Sequence, residues 1–120
     1  MFPKLIALLL SSRDYAHKAH WKTTNYATHK TLNEFYDNIL DLTDSLMEKY
    51  QGRTGQRYEV PNLEEKETYA ASPVYVLTKH LKWIEDARYK TIPKEDTAMQ
   101  NILDEIVAQY LETLYLLTLQ

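Results

Sequence analysis

The residues of this sequence that could do chemistry are concentrated in a polar series between positions 29 and 48. Its members recur at steps of three and four, which would place them along one face of a helix. They are His29, Asn33, Asp37, Asp41, Asp44 and Glu48. Asp44 and Glu48 would be neighbours one turn apart, as two carboxylates that chelate one metal ion on a helix must be. The series predicts a metal-binding face, and the alternative is an acidic face that is only solvated.

The spacing of the series also fits a pairing of two copies of this helix. In an isologous dimer, antiparallel helices meet across a two-fold axis, so the numbers of facing residues have a constant sum. That sum is 77 for His29 with Glu48 and again 77 for Asn33 with Asp44, which puts the axis near residue 38. Imidazole and carboxylate together form a ligand set suited to iron or zinc. We therefore predict a two-fold dimer with two equivalent metal sites.

The elements that must present these residues are helices, because the hydrophobic periodicity predicts four of them in a single domain covering residues 1–120. We predict helix A over 3–22, helix B over 28–51, helix C over 73–91 and helix D over 96–119. Gly52 is predicted to stop helix B, and a further short helix is predicted over 63–69. The residues predicted to face the core are Leu5, Leu8, Leu9, Ser12, Ala16 and Ala19 in helix A, Leu32, Phe35, Ile39, Leu42 and Leu46 in helix B, Val74, Leu77, Leu81, Ile84 and Arg88 in helix C, and Met99, Ile102, Leu103, Ile106, Tyr110, Leu114 and Leu117 in helix D.

The lengths of the three connections predict how the helices are arranged. The A–B and C–D connections are short, so the helices of each pair should be antiparallel, which brings His20 of helix A close to His29. The B–C connection has about 20 residues, and an extended chain covers about 3.3 Å per residue, so it can run the length of a bundle. We therefore predict an all-α, ferritin-like four-helix bundle with a long B–C crossover. An up-down-up-down bundle with a loose B–C loop is the competing arrangement.

Composition narrows the classes of function. The chain has 44% hydrophobic and 26% charged residues, as globular domains do, and only 2 glycines and 4 prolines, too few for a fold of many short strands. It has no cysteine, which excludes disulfides and thiolate chemistry. The net charge of −3, without a Lys/Arg run at either end, predicts no nucleic-acid partner. No apolar stretch reaches the ~20 residues of a membrane span, so we expect a cytoplasmic protein and no membrane partner.

The polar residues form a spaced motif that is similar to a known family. His20-Trp21, His29-x3-Asn33 and Asp44-x3-Glu48 resemble Dps, the mini-ferritin branch of the ferritin-like superfamily. The gap from His29 to Asp44 equals the family's, and Asn33 stands where Dps usually has an aspartate. The resemblance is strongest over residues 16–48.

The resemblance implies an iron-binding function. In Dps, two histidines and an aspartate of one subunit meet an aspartate and a glutamate of its two-fold mate, and together they bind iron and support its oxidation by peroxide. The ligands implied in this chain are His20, His29, Asn33, Asp44 and Glu48, for iron or another divalent metal. The implied activity is that of a ferroxidase that sequesters iron, and the implied assembly extends from the two-fold dimer to a larger cage.

Two other functions fit the same residues. A bundle that keeps the dimer without redox chemistry would serve as an assembly or interaction module. A helical, magnesium-dependent nucleotide pyrophosphatase would use the acidic pairs Glu34-x-x-Asp37 and Asp41-x-x-Asp44, but it needs a second acidic pair on another helix. The rate of ferrous iron oxidation in the presence of the protein separates the iron-handling function from the assembly module.

Overall fold

The computed structural model describes residues 1–63 and 71–119, and its secondary structure within those ranges consists of four α-helices without any strand. Helix α1 spans Phe2–Lys22, α2 spans Tyr26–Thr54, α3 spans Pro73–Thr91 and α4 spans Thr97–Leu116. The prediction of four helices is therefore confirmed. The short helix predicted over 63–69 lies, beyond Leu63 itself, outside the described residues.

Side chains that accept from backbone N–H groups begin three of the helices. The side chains of Asn25, Ser72 and Asp96 each accept a hydrogen bond from the backbone N–H three residues further on. Because Asn25 caps α2, this helix begins two residues earlier than predicted. Such caps satisfy backbone donors that have no partner within the helix.

The predicted end of α2 at Gly52 is wrong. The helix continues through Gly52 and ends at Gly55, whose φ of +70° is the left-handed conformation of a helix C-cap. Gly55 N–H donates to the carbonyl of Gln51 over 2.8 Å, which satisfies a carbonyl in the last turn. The glycine with the left-handed backbone, and not the first glycine, ends the helix.

Contacts between helices fix their directions. Ser12 contacts His80 and Lys4 lies over the ring of Trp83, so α1 and α3 are antiparallel. Likewise, α4 is antiparallel to α2, since Asn38 contacts Gln109 and the Arg53 guanidinium binds the Asp96 carboxylate near the other end. With α1 and α2 joined by a short turn, α2 and α3 run parallel and lie on opposite corners of the bundle. The predicted bundle with a long crossover between its second and third helices is confirmed, and the up-down-up-down alternative is wrong.

The core lies between the four helices and is built largely from the predicted residues. Leu5, Leu9, Phe35, Ile84 and Leu103 are among the side chains with no exposed surface. Five predicted core residues are less buried than expected, because each lies at the edge of its helix's inner face: Val74 is exposed, and Leu8, Ala19, Leu42 and Leu114 are half-buried. None of the helices in the described part of the chain is both long and apolar enough to cross a membrane.

Candidate metal site

The turn between α1 and α2 brings two of the predicted ligands together. His20 lies in the last turn of α1 and His29 in the first turns of α2, and the helices are joined by residues 23–25. Their imidazole rings stack with centroids 3.6 Å apart and planes 19° from parallel. His20 is buried and His29 is half-buried. The expectation that His20 lies close to His29 is confirmed.

The backbone around this turn fixes which nitrogen of each imidazole carries a proton. His20 Nδ1 lies 2.8 Å from the carbonyl oxygen of His29, and His29 Nδ1 lies 2.8 Å from the carbonyl oxygen of His20. Because a carbonyl can only accept, each Nδ1 must be the N–H donor, and in the neutral ring Nε2 then holds the lone pair. Metal-binding histidines usually have this arrangement, in which one ring nitrogen donates to a carbonyl and the other is left for the ion.

Further aromatic rings surround the histidine pair. The ring of Tyr36 meets His20 edge-on at 5.3 Å and stacks on His17 at 4.1 Å, and His17 lies 4.3 Å from Trp21. Trp21 is 69% exposed, so this chain of rings extends from a buried imidazole to the surface. Residue types alone did not identify Tyr36 and His17 as neighbours of the histidine pair. Spacing could have identified His17, because it lies three residues before His20, and residues three or four apart lie on the same face of a helix.

Asn33 is held by its neighbours on α2. The hydroxyl of Tyr36 donates to Asn33 Oδ1 over 2.7 Å, and Asn33 Nδ2 donates to Asp37 Oδ2 over 3.1 Å. The amide oxygen, which is the atom that could bind a metal, already accepts one hydrogen bond. Asn33 lies one turn beyond His29 on α2, as expected, but its amide is oriented by Tyr36 and Asp37.

The predicted carboxylate ligands lie far from the histidines of the same chain. Asp44 and Glu48 are both exposed on α2. Asp44 follows His29 by fifteen residues in one continuous helix, which at 1.5 Å per residue is a separation of roughly 22 Å. Within residues 1–63 and 71–119, no three His, Asp or Glu side chains converge in a way that could hold a metal ion. A site with all the predicted ligands therefore requires a second copy of the chain.

The acidic pairs considered for a nucleotide pyrophosphatase lie on this same helix. Glu34, Asp37, Asp41 and Asp44 are exposed along α2. The second acidic pair that such an enzyme needs would be Glu64 with Glu67, which lies outside the described residues. The described geometry thus adds no support for that function.

A buried chain of polar groups lies in the core, away from the histidine pair. The hydroxyl of Tyr110 donates to Ser12 Oγ over 2.5 Å, and Ser12 Oγ lies 2.6 Å from His80 Nδ1. Burial raises the pKa of the Tyr110 phenol, and the hydrogen bond with Ser12 acts weakly in the opposite direction. Ser12 has no exposed surface, so a substrate cannot reach this serine–histidine pair as a nucleophile and its base. We interpret the chain as a structural link between α1, α3 and α4.

Comparison with known proteins identifies a family whose function is unknown. A family model described as a family of unknown function (DUF5856) matches residues 20–117 of this chain. An uncharacterized 14.6 kDa protein from the mobD–ri intergenic region of Enterobacteria phage T4 is 28% identical over 115 residues, which cover 96% of this chain and 86% of the phage protein. No solved structure matches the chain. Neither of the two matches names a ferritin-like protein, so the resemblance to Dps stays a prediction.

Proposed function

The chain belongs to the DUF5856 family, and from its own side chains we propose that it binds ferrous iron, or another divalent metal, between two copies related by a two-fold axis. His20 and His29 of one copy supply imidazole nitrogens, and Asp44 and Glu48 of the other supply carboxylate oxygens. Asn33 lies between them as a neutral neighbour. We place this activity in the cytoplasm.

The observation that carries the proposal is the pair of hydrogen bonds between each histidine ring and the other's backbone carbonyl. Here both rings donate through Nδ1 at 2.8 Å, so both keep the Nε2 lone pair that a transition metal binds. The rings are also held in place by stacking, which lowers the ordering cost of binding an ion.

The spacing along α2 is compatible with a two-fold arrangement. Asp44 and Glu48 are exposed one turn apart in the half of α2 that is opposite His29. Antiparallel pairing about an axis near residue 38 brings these two carboxylates of each helix against the histidine end of the other. A divalent cation between them would reduce the repulsion between Asp44 and Glu48.

Anaerobic titration with ferrous iron tests the proposal. Glu48→Ala should abolish binding while keeping the helix, because alanine is a good helix former. Glu105→Ala is the matched control, since Glu105 is an exposed glutamate on α4, away from the proposed site. Parent protein and control should bind equally. Equal binding by all three proteins would show that the acidic face is only solvated.

The second candidate function is an assembly module without redox chemistry. It is favoured by the engagement of Asn33, whose amide oxygen accepts from Tyr36 and whose amide nitrogen donates to Asp37. A site with a neutral amide in place of a carboxylate attracts a cation less strongly. Addition of oxygen or peroxide to the iron-loaded protein separates the two functions. Oxidation faster than in buffer alone supports iron handling, and an unchanged rate supports the module.

A further inference from the structure

Large apolar side chains are exposed mainly at one end of the bundle. This end, which we call the turn end, holds the turn between α1 and α2, the start of α3 and the end of α4, because α3 is antiparallel to α1 and α4 is antiparallel to α2. Of the nine large hydrophobic side chains that are exposed in the described residues, six lie here. They are Trp21, Tyr26, Val74, Tyr75, Tyr115 and Leu119. The exposed apolar surface is therefore spread over the end and is not confined to the face of one helix.

The hairpin of α1 and α2 carries only positive charge at this end. Residues 15–33 include three lysines and three histidines but neither aspartate nor glutamate, in a chain that has 17 acidic residues. The lysines are exposed, and they are Lys18, Lys22 and Lys30. Asp14 precedes the end of α1 by eight residues and Glu34 follows the start of α2 by eight, which is about 12 Å along each helix. The surface without acidic residues thus ends at a common level on both helices.

Rings with a polar tip, aliphatic groups and lysines are the side chains that suit the surface of a membrane. Tryptophan and tyrosine lie at the level of the lipid headgroups, and lysine keeps its ammonium group in the polar layer while its stem lies along apolar atoms. A bilayer is also flat, so it can contact the turn end without meeting Asp14 and Glu34. A single-stranded nucleic acid would stack on the rings but gain little from Val74 and Leu119. A second copy meeting this end would bring like charges together.

We propose that the turn end binds an anionic lipid surface, with Trp21 and Tyr26 in the headgroup region and Lys18 and Lys30 against the lipid phosphates. The bundle then stands on the membrane without crossing it. The expectation of no membrane partner rested on apolar stretches too short for a span, and surface binding needs none. The proposal goes beyond the metal site, because it uses none of the proposed ligands and a single copy of the chain is sufficient.

Flotation with lipid vesicles at low ionic strength tests the proposal. The parent protein should float with vesicles of phosphatidylglycerol and should not float with vesicles of phosphatidylcholine, which carry no net charge. Lys18→Gln combined with Lys30→Gln should weaken binding about 25-fold, because each lysine near an anionic surface contributes about fivefold. Lys49→Gln combined with Lys90→Gln is the matched control. It removes the same charge from exposed lysines outside the turn end and should bind as the parent does.

The fluorescence of Trp21 reports whether this end enters the headgroup region. In a Trp83→Phe variant Trp21 is the sole tryptophan, so the emission should move to shorter wavelength when phosphatidylglycerol vesicles are added. In Trp21→Phe, the emission of Trp83 should stay unchanged. Tyr26→Ser should weaken vesicle binding several-fold, whereas Tyr89→Ser, which removes an exposed ring near the other end of α3, should not.

Two outcomes would overturn the proposal. The first is a parent protein that does not float with phosphatidylglycerol vesicles, or a variant lacking Lys18 and Lys30 that floats as its control does. The second is displacement of the protein from the vesicles by a single-stranded oligonucleotide, which would show that the turn end binds nucleic acid. Glu48→Ala removes a proposed metal ligand and should float as the parent does, so a failure of the metal site leaves this proposal intact and the reverse also holds.

Discussion

Removal of the Ser12 hydroxyl should destabilise the fold more than removal of the Tyr110 hydroxyl, although both belong to one hydrogen-bonded chain. Ser12 Oγ accepts from the Tyr110 hydroxyl and is also hydrogen-bonded to His80 Nδ1. Ser12→Ala breaks both bonds at once and leaves the phenol of a completely buried tyrosine without its acceptor. Tyr110→Phe breaks one bond and leaves the one between Ser12 and His80 intact.

The size of the effect follows from these contacts. Ser12→Ala leaves the buried Tyr110 phenol without its acceptor, which costs about 1–3 kcal/mol, and the lost hydrogen bond to His80 costs about 1 kcal/mol more. The better helix propensity of alanine returns about 0.5 kcal/mol, so the net loss should be about 1.5–3.5 kcal/mol. Tyr110→Phe should cost about 1 kcal/mol. The double variant should be more stable than Ser12→Ala alone, because it also removes the hydroxyl that Ser12→Ala leaves unpaired.

Urea unfolding followed by circular dichroism measures these differences. With a total stability of about 5–15 kcal/mol for a domain, a loss of about 1.5–3.5 kcal/mol moves the urea midpoint clearly. Leu9→Ala, which truncates a fully buried side chain on the same helix, provides the scale of an ordinary core defect. Equal stability of Ser12→Ala and Tyr110→Phe, or a double variant that is the least stable of the three, would contradict the role of Ser12 as the link between Tyr110 and His80.

Three further predictions concern other parts of the molecule. Because burial raises the pKa of the Tyr110 phenol, stability should hold up to about pH 10 and fall above it, where the phenol loses its proton in the unfolded chain first. Unfolding midpoints measured against pH should show a shallower alkaline decline for Tyr110→Phe. Arg88→Met should cost about 1–3 kcal/mol in urea unfolding, because the buried Arg88 guanidinium donates to Gln100 and Asp104, whereas Asp104→Asn should cost less than about 1 kcal/mol since its side chain is 62% exposed. Asn33→Asp should tighten anaerobic ferrous iron binding by adding a charge beside the histidines, and an affinity unchanged from the parent would show that position 33 lies outside the site.

The fold could be predicted from the sequence because its signals are local and repeated. Hydrophobic spacing over some twenty residues is not sensitive to single exceptions. Val74 was predicted to face the core and is exposed, yet the prediction of α3 as a helix was unaffected. The end of α2 could not be predicted in the same way. Gly52 and Gly55 are the same residue type, so the sequence does not distinguish them. Only the backbone conformation shows that Gly55 is the C-cap.

Only those features of the candidate site that follow from helix geometry could be predicted from the sequence. A short antiparallel turn brings His20 to His29 whatever their rotamers are, so that proximity followed from spacing. The hydrogen bonds from their rings depend on the rotation of each helix about its own axis. The hydrogen bond from Tyr36 to Asn33 depends on a side-chain torsion. Neither quantity is encoded in residue spacing. The sequence consequently identified the candidate metal ligands, but it did not show that the Asn33 amide already forms hydrogen bonds with Tyr36 and Asp37.

The contact between Ser12 and Tyr110 joins residues 98 positions apart, and this separation has a consequence for a chain made from its first residue to its last. The hairpin of α1 and α2 is complete long before α4 has been synthesised, yet its inner face needs α3 and α4 as a cover. During that interval, apolar side chains such as Leu9 and Phe35 remain open to other hairpins. Contacts so distant in sequence also slow the final step, because the long crossover must close first. We therefore expect the nascent hairpin to be the species on which chaperones act.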